Sequence, residues 1–228
     1  VATWSGVNKI TGNIEDPKSW ERFTKKNTNG GLSDDWVYSM EITDEGDLWF
    51  GTEYGLSFYD GKQWKNWTNK DGLGGAPDIL KEENKEYADN VFQGAHHANQ
   101  ANYTGMQNLN IATFNPNHIT GMKYDDKTGI LWIGTWGGGL SRFDGKKFIS
   151  FTKRDGLASN YVLSVTQSSD GSIWLGTDNG VNRLKNDTFD LFTTQDGLLT
   201  DFTFVVKIDE KGRLWAGGPG GVSLVKNI

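Results

Sequence analysis

The chain has 228 residues, a formal net charge of −6 and no cysteine. That length fits one large all-β domain; the charge leaves no basic footprint for nucleic acid; the missing thiols exclude disulfides, thiolate metal sites and c-type haem attachment. No apolar run approaches the roughly 18 residues that a membrane-spanning helix needs, whereas thirty Gly and ten Trp suit a repeat with periodic aromatic and glycine positions.

In chain order, Thr3-Trp4-Ser5-Gly6-Val7-Asn8-Lys9-Ile10 parallels Thr177-Asp178-Asn179-Gly180-Val181-Asn182-Arg183-Leu184. Residues 1–24 therefore begin just after a second strand and supply a third and a fourth. The first full repeat follows, with Leu48-Trp49-Phe50-Gly51-Thr52 as its second strand. The motif returns at Leu131-Trp132-Ile133-Gly134-Thr135, at Ile173-Trp174-Leu175-Gly176-Thr177 and, worn, at Leu214-Trp215-Ala216-Gly217-Gly218. Trp132, Trp174 and Trp215 are 42 and 41 residues apart, and Trp49 precedes Trp132 by 83, close to twice that period. A period of about 40–45 residues points to a propeller or similar array, and the double gap predicts a hidden copy anchored at Phe92. Segment 74–112 is the least regular, because it is charged over Ile79–Glu86, where a short helix fits, and poor in large apolar residues over Asn99–Ala112.

Within a repeat, the stretch from Tyr161 to Thr193 reads as four short strands. Asp170-Gly171, Asp178-Asn179-Gly180 and Asn186-Asp187 turn the chain between them, residues that tolerate the positive φ of tight turns. Lys70 to Leu73, Arg154 to Leu157 and Gln195 to Leu198 each follow an outer strand, where Gly lets the chain bend and Leu plugs the gap between neighbouring blades. The predicted fold is all-β: a five-bladed β-propeller of four-stranded antiparallel blades, one domain over 1–228, anchored on Trp49, Phe92, Trp132, Trp174 and Trp215. Closure is expected from pairing of Ser19–Thr24 with Val222–Val225, which removes bare sheet edges. That arrangement leaves one third strand over, so either residues 1–10 lie outside the ring or the chain is part of a larger propeller.

The Asp-Gly-Leu lead, the Asp-Gly turn before Leu-Trp-Ile-Gly-Thr and the run Gly-Gly-Leu-Ser-Arg-Phe-Asp at 138–144 resemble the two-component-regulator propeller family. The resemblance covers nearly the whole chain. It implies a bacterial sensor-type propeller in the periplasm or outside the cell, of a kind associated with recognising glycans or other environmental ligands.

In such a blade the second-to-third turn and the blade-to-blade connection share one face. Counting back from the anchors brings Asp35, Asp78, His118, Asn160 and Asp201 to the channel mouth, followed by Trp36, Ile79, Ile119, Tyr161 and Phe202. The turns add Tyr54, His96, His97, Trp136 and Asp178. Acids, amides and aromatics on one rim suit a small polar ligand, a glycan or a divalent cation; Asp and Asn at a strand start also commonly bond their own turn. His96, His97 and His118 are the candidate metal ligands, although their spacing fits no standard zinc motif. No Ser-His-Asp order, nucleophile elbow or phosphate-cradling glycine motif occurs. The expected role is a non-catalytic ligand-binding module without a cofactor; the alternative is a structural subunit that docks a partner protein outside the cytoplasm.

Overall fold

The computed structural model describes residues 1–85 and 114–225. Five antiparallel sheets follow one another along the chain. The first consists of β1 (Ala2–Thr3), β2 (Gly6–Ile10) and β3 (Trp20–Phe23). The second holds β4 (Val37–Ile42), β5 (Leu48–Thr52), β6 (Gly55–Tyr59) and β7 (Trp64–Trp67). After helix α1 (Pro77–Glu83) comes the third sheet: β8 (Asn115–Asp125), β9 (Ile130–Trp136), β10 (Gly139–Phe143) and β11 (Phe148–Phe151). The fourth comprises β12 (Val162–Gln167), β13 (Ile173–Thr177), β14 (Gly180–Lys185) and β15 (Thr188–Phe192). The fifth is β16 (Val205–Ile208), β17 (Leu214–Gly218) and β18 (Gly221–Val225). Strands pair in sequence order inside each sheet, as hairpin-linked runs should.

The recurring motif owes its composition to the contacts between sheets. A Cβ on Gly51 would lie 2.4 Å from Ile119 Cγ2, and one on Gly134 would lie 2.7 Å from Val162 Cγ1. At Gly176 it would meet the Thr203 carbonyl oxygen at 2.8 Å. Each glycine thus lets the next sheet's inner edge sit against the second strand. The threonine after it closes the following turn: the hydroxyls of Thr52, Thr135 and Thr177 donate to the carbonyls of Gly55, Gly139 and Gly180 at 2.9–3.0 Å. All three threonines are fully buried.

Four apolar clusters fill the four gaps between the five sheets. Each contains one plug leucine: Leu32, Leu73, Leu157 and Leu198, in chain order. The last three are delivered by one device. Thr68, Thr152 and Thr193 form capping boxes with Asp71, Asp155 and Asp196 around a single 3₁₀ turn. Gly72, Gly156 and Gly197 then adopt φ near 105°, which turns the leucine inward. Trp49 and Trp174 are buried as anchors should be, while Trp132 and Trp215 are half-buried. Trp215 belongs to the fifth sheet, whose far side has no sixth sheet against it among the described residues.

Two expectations need correction. The Trp49 and Trp132 sheets pack directly on each other: Gly51 meets Ile119, Trp49 lies 6.5 Å from Tyr124 between ring centroids, and Glu41 Oε2 accepts bonds from Lys123 Nζ and Tyr124 N, both at 3.0 Å. No blade stands between them. The residues between these two sheets, in which a hidden copy was expected, are described only as far as residue 85 and again from residue 114. The expected anchor of that copy, Phe92, lies outside the described residues, and the helix expected over Ile79–Glu86 is α1 at Pro77–Glu83. Nor does Ser19–Thr24 pair with Val222–Val225: β3 pairs with β2, and β18 pairs with β17. The N-terminal third and fourth strands pair with β1 in a three-stranded sheet of their own, separate from the three-stranded fifth sheet.

Candidate functional site

Backbone bonds put the blade-to-blade connections and the second-to-third turns on one face. The amides of Gly6, Gly139 and Gly180 donate to the carbonyls of Asp35, Asn160 and Asp201 at 2.7, 2.8 and 2.5 Å. The side chains at those three positions also serve the local backbone. Asp35 Oδ1 accepts from the Lys25 amide at 2.7 Å, Asn160 Oδ1 from Lys153 at 3.0 Å, and Asp201 Oδ1 from Thr194 at 2.6 Å. In the third sheet the same task falls to Asn117, whose Oδ1 accepts from the Asn69 amide at 2.6 Å. The predicted residue there was His118, one position later. Register shifts in β8 on both sides of Ile119 account for the offset. Asp78 is not at an inner-strand start at all; it is exposed in the first turn of α1. The five predicted ring residues are therefore not equivalent positions.

Released from the capping task, His118 is buried and reaches across to the second sheet. Its Nδ1 lies 3.4 Å from Glu53 Oε2, and the Tyr38 hydroxyl donates to the same oxygen at 3.0 Å. The Tyr38 and His118 rings are 4.4 Å apart between centroids. His118 stacks with Trp136 at 6.0 Å, and Trp136 meets Tyr161 edge-on at 5.3 Å. Tyr161 is itself buried, so only part of this aromatic run reaches solvent. Burial pushes the Glu53 carboxyl above its ordinary value, only partly offset by the Tyr38 bond. Burial and the Glu53 charge push the Tyr38 hydroxyl up as well.

Toward the first sheet the face is more open. Trp4 and Trp36 stack with centroids 6.3 Å apart and planes 27° apart. The Glu53 amide donates to the Trp36 carbonyl at 3.0 Å, which places Tyr54 beside them. Trp4 is 59% and Tyr54 52% exposed. Tyr38, Glu53 and Asn115 carried no repeat-wide signal in the sequence, whereas Asp34 stands where Ser159 and Thr200 make the same bond to the amide two residues on. Asp178 lies on the same face at the β13–β14 turn, one blade removed from this group.

Helix α1 covers the opposite end of the face. Asn84 Nδ2 donates to the Gly137 carbonyl at 2.7 Å, and Asn160 Nδ2 donates to Asn84 Oδ1 and Glu83 Oε2 at 3.1 and 2.9 Å. Arg154 Nε lies 3.0 Å from Glu83 Oε1. Asn160 is fully buried there and is structural scaffolding rather than rim. The inner strands line an open cleft of about 580 Å³, with Ser39, Thr120, Ser164 and Gln167 among its walls. Among the described residues no group of three or more His, Cys, Asp or Glu could hold a metal ion. His96 and His97 lie outside the described residues. Among the described residues no helix is long and apolar enough to cross a membrane.

Two segments, 31–54 and 156–179, match the family model described as two component regulator propeller. Each runs from the plug leucine through the first two strands into the turn on this face. No curated protein sequence matches the chain. Among solved structures, the extracellular domain of a one component system of B. thetaiotaomicron superposes with a TM-score of 0.65 at 16% identity, covering 97% of this chain. That of a hybrid two component system of the same organism gives 0.63 at 20% identity over 90%. The chain spans 25% of the length of each. A streptogramin B lyase gives 0.55 at 12% identity, covering 97% of this chain and 61% of the lyase. These likenesses show a propeller-type fold.

Proposed function

We propose that this chain is a non-catalytic recognition module, the repeat array of a sensor-type propeller working outside the cytoplasm. Its ligand is a small polar molecule or glycan held on the face built from the second-to-third turns. The observation that carries the reading is the convergence of Trp36, Tyr54, His118 and Trp136 on that face with Glu53 among them, outside the repeat-wide apolar clusters. Exposed rings offer stacking surfaces, and a few fixed polar groups give orientation. The extracellular context of the first two structural relatives supports the compartment, and the burial of His118, with Glu53 beside it held by the Tyr38 hydroxyl, supports a non-catalytic role. A thermal-shift screen with glycans and divalent ions tests this. A hit should be lost in Trp36→Ala and Tyr54→Ala and retained in Lys211→Ala, which lies at a first-to-second turn on the opposite face. A hit insensitive to both aromatic variants would reject the site.

A second reading has its own observation. On the fifth sheet Val205 is 52% and Val222 62% exposed, with Phe204 and Leu199 exposed nearby. Such a contiguous apolar surface suits docking of a partner protein. Light scattering across a concentration series, with and without Val205→Glu, checks whether this surface associates.

A further inference from the structure

Resting on that reading of the face, we propose that its open edge takes a small organic cation, an ammonium head group, between the Trp4, Trp36 and Tyr54 rings and the Asp34 and Asp35 carboxylates. The parts are held together by short bonds. The Gly6 amide donates to the Asp35 carbonyl at 2.7 Å, which draws the Trp4 turn onto segment 34–36. Asp34 Oδ1 accepts from the Trp36 amide at 2.9 Å, and the Glu53 amide bonds the Trp36 carbonyl. Each aspartate thus uses one carboxylate oxygen on a backbone amide. Neither side chain has a Lys or Arg ion pair among the described residues. The nearby guanidinium, Arg22, is engaged by the Ser5 carbonyl at 2.8 and 3.3 Å.

The chemistry of this edge is one-sided. Apart from the Arg22 guanidinium, which is turned onto the neutral Ser5 carbonyl, its charged groups are acceptors, and its exposed surfaces are aromatic faces, which carry partial negative charge. A cation is attracted by both, whereas a neutral ligand is attracted chiefly by ring contact. The local field shows in its neighbours: besides burial, the charges of Glu53 and Asp34 push the Tyr54 hydroxyl upward, and Asp34 adds to the rise at Glu53.

The test compares choline with 3,3-dimethylbutan-1-ol, the neutral isostere in which carbon replaces the charged nitrogen, by titration of the full chain. Choline should bind at least about tenfold more tightly at low salt, and the gap should shrink at high salt. Asp34→Asn keeps the oxygen that the Trp36 amide needs, so it should melt normally. It should weaken choline about tenfold and leave the isostere unchanged, whereas Trp36→Ala should weaken both. Equal binding of the two probes, or an Asp34→Asn variant that binds choline as wild type does, overturns the proposal. No choline binding at millimolar concentration also overturns it. The broader reading survives that result if a glycan still binds and is lost in Trp36→Ala; it falls too if no glycan does.

Discussion

Gly134 and Gly217 occupy the same motif position with different neighbours, and the difference has a measurable consequence. A methyl group on Gly134 would press on Val162 across a filled gap, and the rigid strands on both sides have nowhere to move. On Gly217 the nearest atom would be Val205 Cγ1 at 3.0 Å, within its own sheet and exposed. Gly134→Ala should therefore cost about 1–3 kcal/mol, the range for overpacking, and Gly217→Ala much less, as read from urea denaturation midpoints. Equal losses would mean that the glycine serves the strand itself rather than the contact between sheets. Glu53 gives a pH signature. Its folded pKa is raised, so the folded state holds the proton to higher pH than the unfolded chain does. Its contribution is full below the ordinary glutamate value of about 4.3 and is lost as pH rises through the folded value. Glu53→Gln should abolish that fall, so the melting temperature of the variant should gain on wild type from pH 4 upward into the mildly acidic range. A constant difference across that range would contradict the assignment.

At the scale of elements, the plug leucines and the docked helix are the parts to test. Leu73 and Leu157 are buried between sheets, each on a left-handed glycine, so replacing either by Ala should cost about 2–5 kcal/mol in denaturant unfolding. Helix α1 has a different hold. It has seven residues and no side-chain N-cap bond, and its anchorage is Leu80 together with the Glu83 and Asn84 contacts. Asn160 differs from Asp35 and Asp201 by carrying the amide that donates to those two residues. Asn160→Asp would keep the Lys153 cap and turn a donor into a charge facing Glu83. Hydrogen exchange over residues 77–84 should then rise strongly, with an added global cost of about 1–3 kcal/mol for the buried mismatch. Unchanged exchange there would show that Leu80 and the Gly137 and Arg154 contacts dock the helix without the Asn160 amide.

At the scale of the whole molecule, the sheets form a chain of nearest-neighbour contacts, and stability in such arrays is close to a sum of repeat and interface contributions. The three central sheets have a neighbour on each side; the first and fifth are not joined by strand pairing. Amide exchange should accordingly be slowest in β9 and β13 and faster in β2 and β17. Uniform protection across all five sheets would indicate that the terminal sheets are covered in solution by a contact outside those described.

Much of this architecture was legible because repetition encodes it. Trp-x-Gly-Thr recurs since each gap between sheets needs the same glycine clearance and the same threonine bond, and the Asp-Gly-Leu lead recurs since each gap needs a plug. Strands such as β13 and β14 could be read within a residue of their ends because hairpin turns demand residues that accept positive φ. What spacing could not tell was which sheets stand next to each other: the double gap between Trp49 and Trp132 placed a copy between two sheets that are in direct contact. Tertiary contacts alone, Gly51 with Ile119 and Glu41 with Lys123 and Tyr124 among them, show that the sheets on either side touch. Nor could counting see that bulges in β8 move the capping role from His118 to Asn117 and turn the histidine toward Glu53. Local chemistry, repeated in every blade, is written in the sequence itself; which sheets meet, which ends pair and which single-blade side chains converge depend on contacts between distant residues, and those exist only once the chain is folded.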